Sequence, residues 1–256
     1  DQSKKKKTKT ESYTTGAYSL SDGKFVDLNQ VPMSFYKKLG HFPLSLSSKE
    51  IEIAELVWQH NSQRMDCIEG FRGIPAKCTS REIEKWEIPT YEKRDLHKYR
   101  LSPTECGLTI PEKEINKTEK LRKPKILAQR ITSFTTIPEP KLTIKSLWDP
   151  VGVLTKSTIV NIYLNRDVKI PNREQGNEEE QENDEERKID YPALAALFNS
   201  KFFSWYVQRF VYTKYFETSK DLDAKYIQRV PFPNGNKTQW ELLSRLSLYL
   251  HFIHEG

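Results

Sequence analysis

The apolar positions change period along the chain, and each change marks an element. Between residues 13 and 45 the segments YSL, KFVDL, MSFYKKL and HFPLSL are short and mixed and keep no single period. Ser47, with Glu50 three residues on, forms a capping box ahead of IEIAELVWQ, which predicts a helix over about 48–60 despite its β-branched isoleucines. CIEGFRGIPAKCTS, residues 67–80, reads as a strand running into a bend at Gly70 and Gly73, with Arg72 exposed. The charge-, Tyr- and Pro-rich stretches that follow predict loops and short strands, with a charged helix near 112–121. KILAQRI (125–131) and LTIKSLW (142–148) are strand candidates, and VGVLTKSTIVNIYLN (151–165) reads as two strands or one long bent strand. Together these predict an α+β fold around a small sheet, mostly antiparallel or mixed, with packed helices.

A second pattern begins at Asp190. With Pro192 tolerated in the first turn, a helix is expected from Asp190 or Tyr191 to about Phe210. Leu194, Leu197, Phe198, Phe202, Trp205, Tyr206 and Phe210 cover more than one stripe of it, so it should be mostly buried. A final helix is expected from Thr238, capped with Glu241 and carrying Trp240, Leu243, Leu246 and Leu250; it is suited to packing on a further part of a longer chain.

Charge sharpens this outline. The chain of 256 residues is net +6, but residues 172–188 hold eight acids and three bases, which leaves +11 on the rest. A basic body with a local acidic insert suits nucleic acid, although charge alone carries no specificity. The insert, almost without apolar residues, reads as a surface excursion or disordered segment. Residues 1–12 are Lys-rich and read as a mobile tail or linker; the KKKK run at 4–7 suits phosphate contact or plain solvation. The first residue is Asp, with no apolar core behind the lysines, so no secretory signal is expected and the chain reads as trimmed or as a piece of a longer one. No run of 18 apolar residues predicts a membrane span. Cys67, Cys78 and Cys106 form no CxxC pair; free thiols in a reducing compartment are expected in preference to a zinc site with His97.

The catalytic signatures are missing from the sequence. It contains no G-x-S-x-G, H-E-x-x-H or Walker sequence, no convincing PD…(D/E)xK constellation and no N/D/S-P-P-Y/F tetrapeptide, and the two glycines at 70 and 73 are not a dinucleotide fingerprint.

Several segments, taken in order, resemble the C-terminal target-recognition region of TaqI-like adenine-N6 DNA methyltransferases, the group that includes fused type IIG restriction–modification enzymes and similar type I-style specificity regions. They are the glycine-centred CIEGFRGIPAKC, RKPKILAQRI, the strand pair GVLTKSTIVNIYL, the helix LAALFNSKFFSWYVQRF and the closing AKYIQRVPFP. Asn199–Ser200–Lys201, with aromatics after it, is the strongest local match. The resemblance covers residues 65–235, the insert included; residues 13–64 become an entrance region with its helix, and 236–256 a C-terminal helix. It implies double-stranded DNA as partner, a methyltransferase domain or subunit beside it, and a prokaryotic cytoplasmic, nucleoid-associated location. No cofactor or catalytic residue is implied in this chain. S-adenosylmethionine would belong to the separate catalytic domain or partner, because a base-flipping enzyme needs its adenine pocket beside the methyl donor.

The candidate DNA contacts are Arg72, Lys77 and Arg81 around the glycine bend, Arg130 at the end of its strand, and Lys214, Lys220 and Lys225 after the signature helix. Arg130 suits phosphate or guanine on one reading and a structural salt bridge on the other. The lysines suit phosphate, and Tyr212, Tyr215, Phe216 and Tyr226 among them suit packing or base stacking. Lys201 reads as a residue that snorkels or holds a backbone carbonyl, and Asn199 as a shaper of the helix surface or an adenine contact. Two other classes stay open: a stand-alone nuclease with dispersed carboxylates, and a protein-interaction scaffold built on the terminal helices.

Overall fold

The structure is a computed structural model and describes residues 11–19, 24–43, 46–60, 64–65, 67–116, 118–135, 141–165, 190–212 and 219–255. The segments without a clear period turn out to be a long hairpin, β1 (Ser12–Ser19) against β2 (Lys24–Pro32), whose register shifts between Thr15 and Ala17. A bulge in β2, where Asp27 and Leu28 together oppose Gly16, breaks the alternation, which is why the strands are hard to see in the sequence. Helices α1 (Met33–Leu39) and α2 (Ser48–His60) follow. The predicted box opens α2: Ser47 N donates to Glu50 Oε2 at 2.8 Å, and Glu50 N donates to Ser47 Oγ at 3.3 Å. Ile51, Ala54 and Trp58 face the core, and Trp58 Nε1 donates to the Tyr206 hydroxyl at 2.8 Å.

The middle of the chain is built of short strands: β3 (Ile68–Arg72), β4 (Thr79–Ser80), β5 (Ile88–Tyr91), β6 (Leu96–His97), β7 (Arg100–Leu101) and β8 (Gly107–Leu108). The charged helix expected near 112–121 is a 3-10 turn at Glu112–Glu114 and one turn of helix, α3 (Thr118–Leu121). Then come β9 (Lys125–Gln129), β10 (Ile131–Thr135), β11 (Lys141–Leu142), β12 (Ser146–Asp149), β13 (Leu154–Thr155) and β14 (Ile159–Leu164).

The central sheet has the order β12-β9-β14-β3, all antiparallel. A second sheet, β13-β5-β8-β4, includes one parallel pair, β13 with β5. The imperfect alternation of KILAQ has a physical cause: β9 is buried on both faces. Ile126 and Ala128 join the main core, while Leu127 joins Leu96, Leu147 and Ile159 on the other side. The main core also takes in Val31, Phe35 and Trp58, so the N-terminal segment and the sheet share it. Lys125 and Asp149 form a buried pair at 2.7 Å at the head of β9 and β12. Lys125 also donates to the carbonyls of Leu121 and Val153, and Asp149 accepts from the N–H groups of Val151, Gly152 and Val153.

The helix expected to run unbroken to Phe210 is in three pieces: α4 (Tyr191–Asn199), α5 (Lys201–Tyr206) and a π turn, Val207–Val211. Ser200 is extended (ψ 151°) and its side chain accepts from Phe203 N at 3.0 Å, so it caps a new helix. The break serves a side-chain ladder. Asn199 Oδ1 accepts from Ser146 N at 2.8 Å, Ser204 Oγ from Ile144 N at 3.2 Å, and Gln208 Oε1 from Leu142 N at 3.0 Å. The helical arm thus satisfies the β11–β12 edge where another strand would otherwise pair. Two strand residues advance about 6.8 Å and four to five helical residues about 6.0–7.5 Å, so the two ladders keep step. Leu194 and Phe198, fully buried beside this ladder, each contribute about 1.5–3 kcal/mol.

The chain closes with β15 (Ser219–Asp221) beside β10, α6 (Ala224–Ile227) and α7 (Lys237–Glu255), which packs along α4. The cap of α7 is not Thr238 with Glu241 but Asn236 with Gln239, each backbone N–H donating to the other's side chain at 2.9 Å. Trp240, stacked on Phe232 and donating to Gly235 O at 3.1 Å, sets that earlier start.

Candidate nucleic-acid interface

Two glycines let the backbone close up around the predicted bend. A Cβ on Gly70 would lie 2.4 Å from Ala224 Cβ, so α6 sits directly on β3 there. A Cβ on Gly73 would lie 2.2 Å from Thr155 O, where Ile74 bridges Lys156. These close approaches bring residues 70–74, the 155–158 turn and residues 221–224 to one rim of the central sheet, and α6 then runs along β3 until Gln228 donates to Ile68 O at 2.8 Å.

Arg72, at the end of β3, is half exposed and grips Asp223 with two donors, NH2 to Oδ2 at 2.8 Å and Nε to Oδ1 at 3.3 Å. Arg130 lies in the junction between β9 and β10 rather than inside one strand. Its N–H donates to Thr158 O at 3.0 Å and its carbonyl accepts from Leu222 N at 2.5 Å. Its guanidinium, largely buried, donates to Asp221 Oδ2 at 2.5 Å and to Ser157 O at 3.2 Å. The buried Nε lies 3.5 Å from Asp223 Oδ1 but makes no hydrogen bond. Asp223 therefore ties Arg72 to Arg130.

Across the same turn lies a second hub. The buried Glu92 carboxylate meets Arg94 at 2.6 Å, Arg81 at 2.9 Å and Lys156 at 3.1 Å, and Thr158 Oγ1 accepts from Lys93 N at 3.1 Å. Burial acts to raise the Glu92 carboxyl, but the Lys156 hydrogen bond and the charges of Lys156, Arg81 and Arg94 outweigh it and hold the group below its ordinary value.

The predicted contacts thus divide. Arg72 and Arg130 come together; Arg81 joins the neighbouring Glu92 hub. All three guanidinium groups are engaged with carboxylates, the salt-bridge alternative that the sequence left open for Arg130. Lys77 is exposed on a 3-10 turn, Ala76–Cys78, and Lys225 is exposed on α6 with its ammonium 5.0 Å from the Tyr226 ring. Lys220 pairs through its backbone with Thr132 in the β15–β10 ladder, and Lys214, Tyr215 and Phe216 lie outside the described residues. The 172–188 insert and the first ten residues also lie outside them.

Sequence reasoning passed over Asp221, Asp223, Lys156 and Arg229. Asp-Leu-Asp at a strand end puts both carboxylates on one side, with Leu222 buried between them, and that signal was available. Arg229, in the turn that closes α6, is exposed beside the same Tyr226 ring. Asn199 is not an exposed reader: it is buried, with its amide shared between Ser146 N and O. Lys201 is exposed, and it is Lys98 that holds the Asn199 carbonyl, at 2.6 Å.

The three cysteines are free and buried, and among the described residues no group of three or more His, Cys, Asp or Glu is arranged to hold a metal ion. Among the same residues no helix is long and apolar enough to cross a membrane. No protein-family model and no curated protein sequence matches this chain.

Proposed function

We propose that this chain recognises double-stranded DNA, as the specificity region of an adenine-N6 methyltransferase of the TaqI-like group or of a fused restriction–modification enzyme. The observation that carries the reading is the meeting of cations from segments far apart in sequence, Arg72 at the end of β3 and Arg130 at the β9–β10 junction, joined through Asp223 at the start of α6, with Lys77 exposed beyond the glycine bend and Lys225 and Arg229 exposed along α6 and the turn after it. The segments that resemble the family supply the strands, the ladder helix and the α6 turn that carry those cations, which fits a TaqI-like specificity architecture.

The ion pairs assign different roles. Lys77, Lys225 and Arg229, with the exposed flank of Arg72, dock phosphates and hold the duplex in register. Arg130, locked by Asp221 and Ser157, positions the rim. Lys214 and Lys220, from the segment after the signature helix, are further candidates for phosphate contact. A separate domain or subunit supplies S-adenosylmethionine and the flipped-adenine pocket, and methyl transfer happens there. The setting is the nucleoid of a prokaryotic cytoplasm.

Fluorescence anisotropy with a mixed-sequence duplex tests the docking role. The folded chain should bind at low salt. The triple variant Lys77→Ala/Lys225→Ala/Arg229→Ala should bind at least about 10-fold more weakly, with a salt slope shallower by about 3, roughly one per phosphate contact removed. Unchanged binding in the folded triple variant, or no binding by the parent at low salt, would overturn the assignment.

A further inference from the structure

Helix α7 is inside out. The stripe that packs against α4 and the β6–β7 hairpin is partly polar: Ser244 and Ser247 are buried, Ser244 Oγ donates to Asp190 Oδ2 at 2.5 Å, and the His251 ring lies 2.7 Å from Tyr99 O. The opposite stripe is apolar and open. Leu242 is 67% exposed, Leu246 49%, Leu248 40%, Tyr249 61%, Phe252 75% and Ile253 46%. A single exposed leucine needs no explanation, but six large apolar side chains on one helical face do. Residues 242, 246, 249 and 253 follow the 4-3-4 spacing of a coiled-coil seam.

We propose that α7 pairs with α7 of a second copy of this chain, antiparallel, about a two-fold axis passing between Ser247 and Leu248. The seam is its own complement in that orientation: Leu242 meets Ile253 of the other copy, Leu246 meets Tyr249, and the remaining two layers repeat these by symmetry. On the same flank Arg245 comes beside Phe252 of the second copy, a cation–π contact made twice. With aromatic side chains that bury about 150–250 Å² each, the open face is on the order of 600 Å² per copy. Two such faces come to about 1,200 Å², the lower end of a standard specific interface, which fits a reversible dimer. A membrane surface is a poorer occupant. An interfacial helix keeps a Lys- and Arg-rich face in water, whereas the face of α7 opposite the seam is occupied by α4.

Sedimentation equilibrium on the chain tests this. Reversible monomer–dimer behaviour is expected over micromolar concentrations, the weak end of affinities for an interface of this size. Leu246→Glu/Tyr249→Glu should be monomeric with its far-UV circular dichroism and urea midpoint retained, because both side chains are exposed. To read the orientation, copies carrying Leu246→Cys are mixed with copies carrying Tyr249→Cys and oxidised; mixed disulfides should outnumber those formed by either copy alone. A parent that stays monomeric overturns the proposal, as does a dimer that survives the double glutamate variant or self-links in preference to cross-linking. A monomer that co-sediments with phosphatidylglycerol vesicles gives the face to a lipid surface, and a monomer that does not leaves it to another protein; either result overturns the pairing.

Discussion

Along the β11–β12 edge, Asn199, Ser204 and Gln208 are buried and each accepts a hydrogen bond from a strand N–H. At the rim, Arg72 and Arg130 meet Asp221 and Asp223 with water on one side. Both regions join segments far apart in sequence through polar side chains, yet the groups differ in kind. The buried joint uses neutral amides and hydroxyls, which lose little on desolvation once paired. The rim uses charges, which solvent screens and which can exchange one partner for another. The buried joint is suited to holding a frame and the rim to meeting a ligand, so the two should respond very differently to substitution.

The largest effect is expected at the charged exception inside the frame. Burial pushes the Lys125 ammonium below its ordinary value, with the Asp149 charge and hydrogen bond acting the other way. Asp149→Ala removes that compensation and strands three N–H groups, which should cost about 3–5 kcal/mol in urea unfolding. A loss below about 1 kcal/mol would show that water replaces the carboxylate and that the pair does not hold the frame.

Asn199→Ala comes next. It leaves Ser146 N without its acceptor in a buried site, while Ser146 O keeps the Tyr99 N–H, a cost of about 1–3 kcal/mol with the m-value unchanged. Asn199→Ser, too short to span both groups, should recover little. A neutral outcome would reduce the side-chain ladder to a coincidence of spacing with no energetic role.

Acid separates the regions more gently. Burial acts to raise the Glu50 carboxyl, but hydrogen bonds from Arg209 and Ser47 and the Arg209 charge hold it below its ordinary 4.5. Glu92 at the rim is held low in the same direction. A carboxylate depressed on folding contributes stability that is present above its unfolded value and lost as pH falls through its folded one. The urea midpoint should therefore fall on acidification below about pH 4.5, and Glu50→Gln and Glu92→Gln should each flatten that fall. Identical acid profiles for the parent and both variants would mean that other carboxylates carry it.

The smallest effect on stability is expected at the exposed pair. Arg72→Ala should cost under about 1 kcal/mol, because the pair is half in water. A larger loss would mean that Arg72 belongs to the frame.

Much of the frame was legible. The Ser47–Glu50 box, the presence of two strands within 151–165, though they join different sheets and do not pair with each other, and the burial of the 190–210 segment all follow from short-range pattern, because caps and periodicity are local. The break at Ser200 was not legible, since serine suits a cap or a helix surface equally and the register of a distant strand edge selects the cap. The rim was half legible: its cations were visible, but Asp221 and Asp223 acquire their meaning only when α6 sits on Gly70.

The sequence by itself determined where α2 and α4 begin, that the 190–210 segment is buried and which segments carry the cations, since those depend on residues within a turn or two of each other. Tertiary structure decided which arginine meets which carboxylate, why the helix breaks before Lys201, and which face of α7 is left open. Each of those is a contact across many tens of residues, and such contacts are set by how the sheet brings segments together, which no local period encodes.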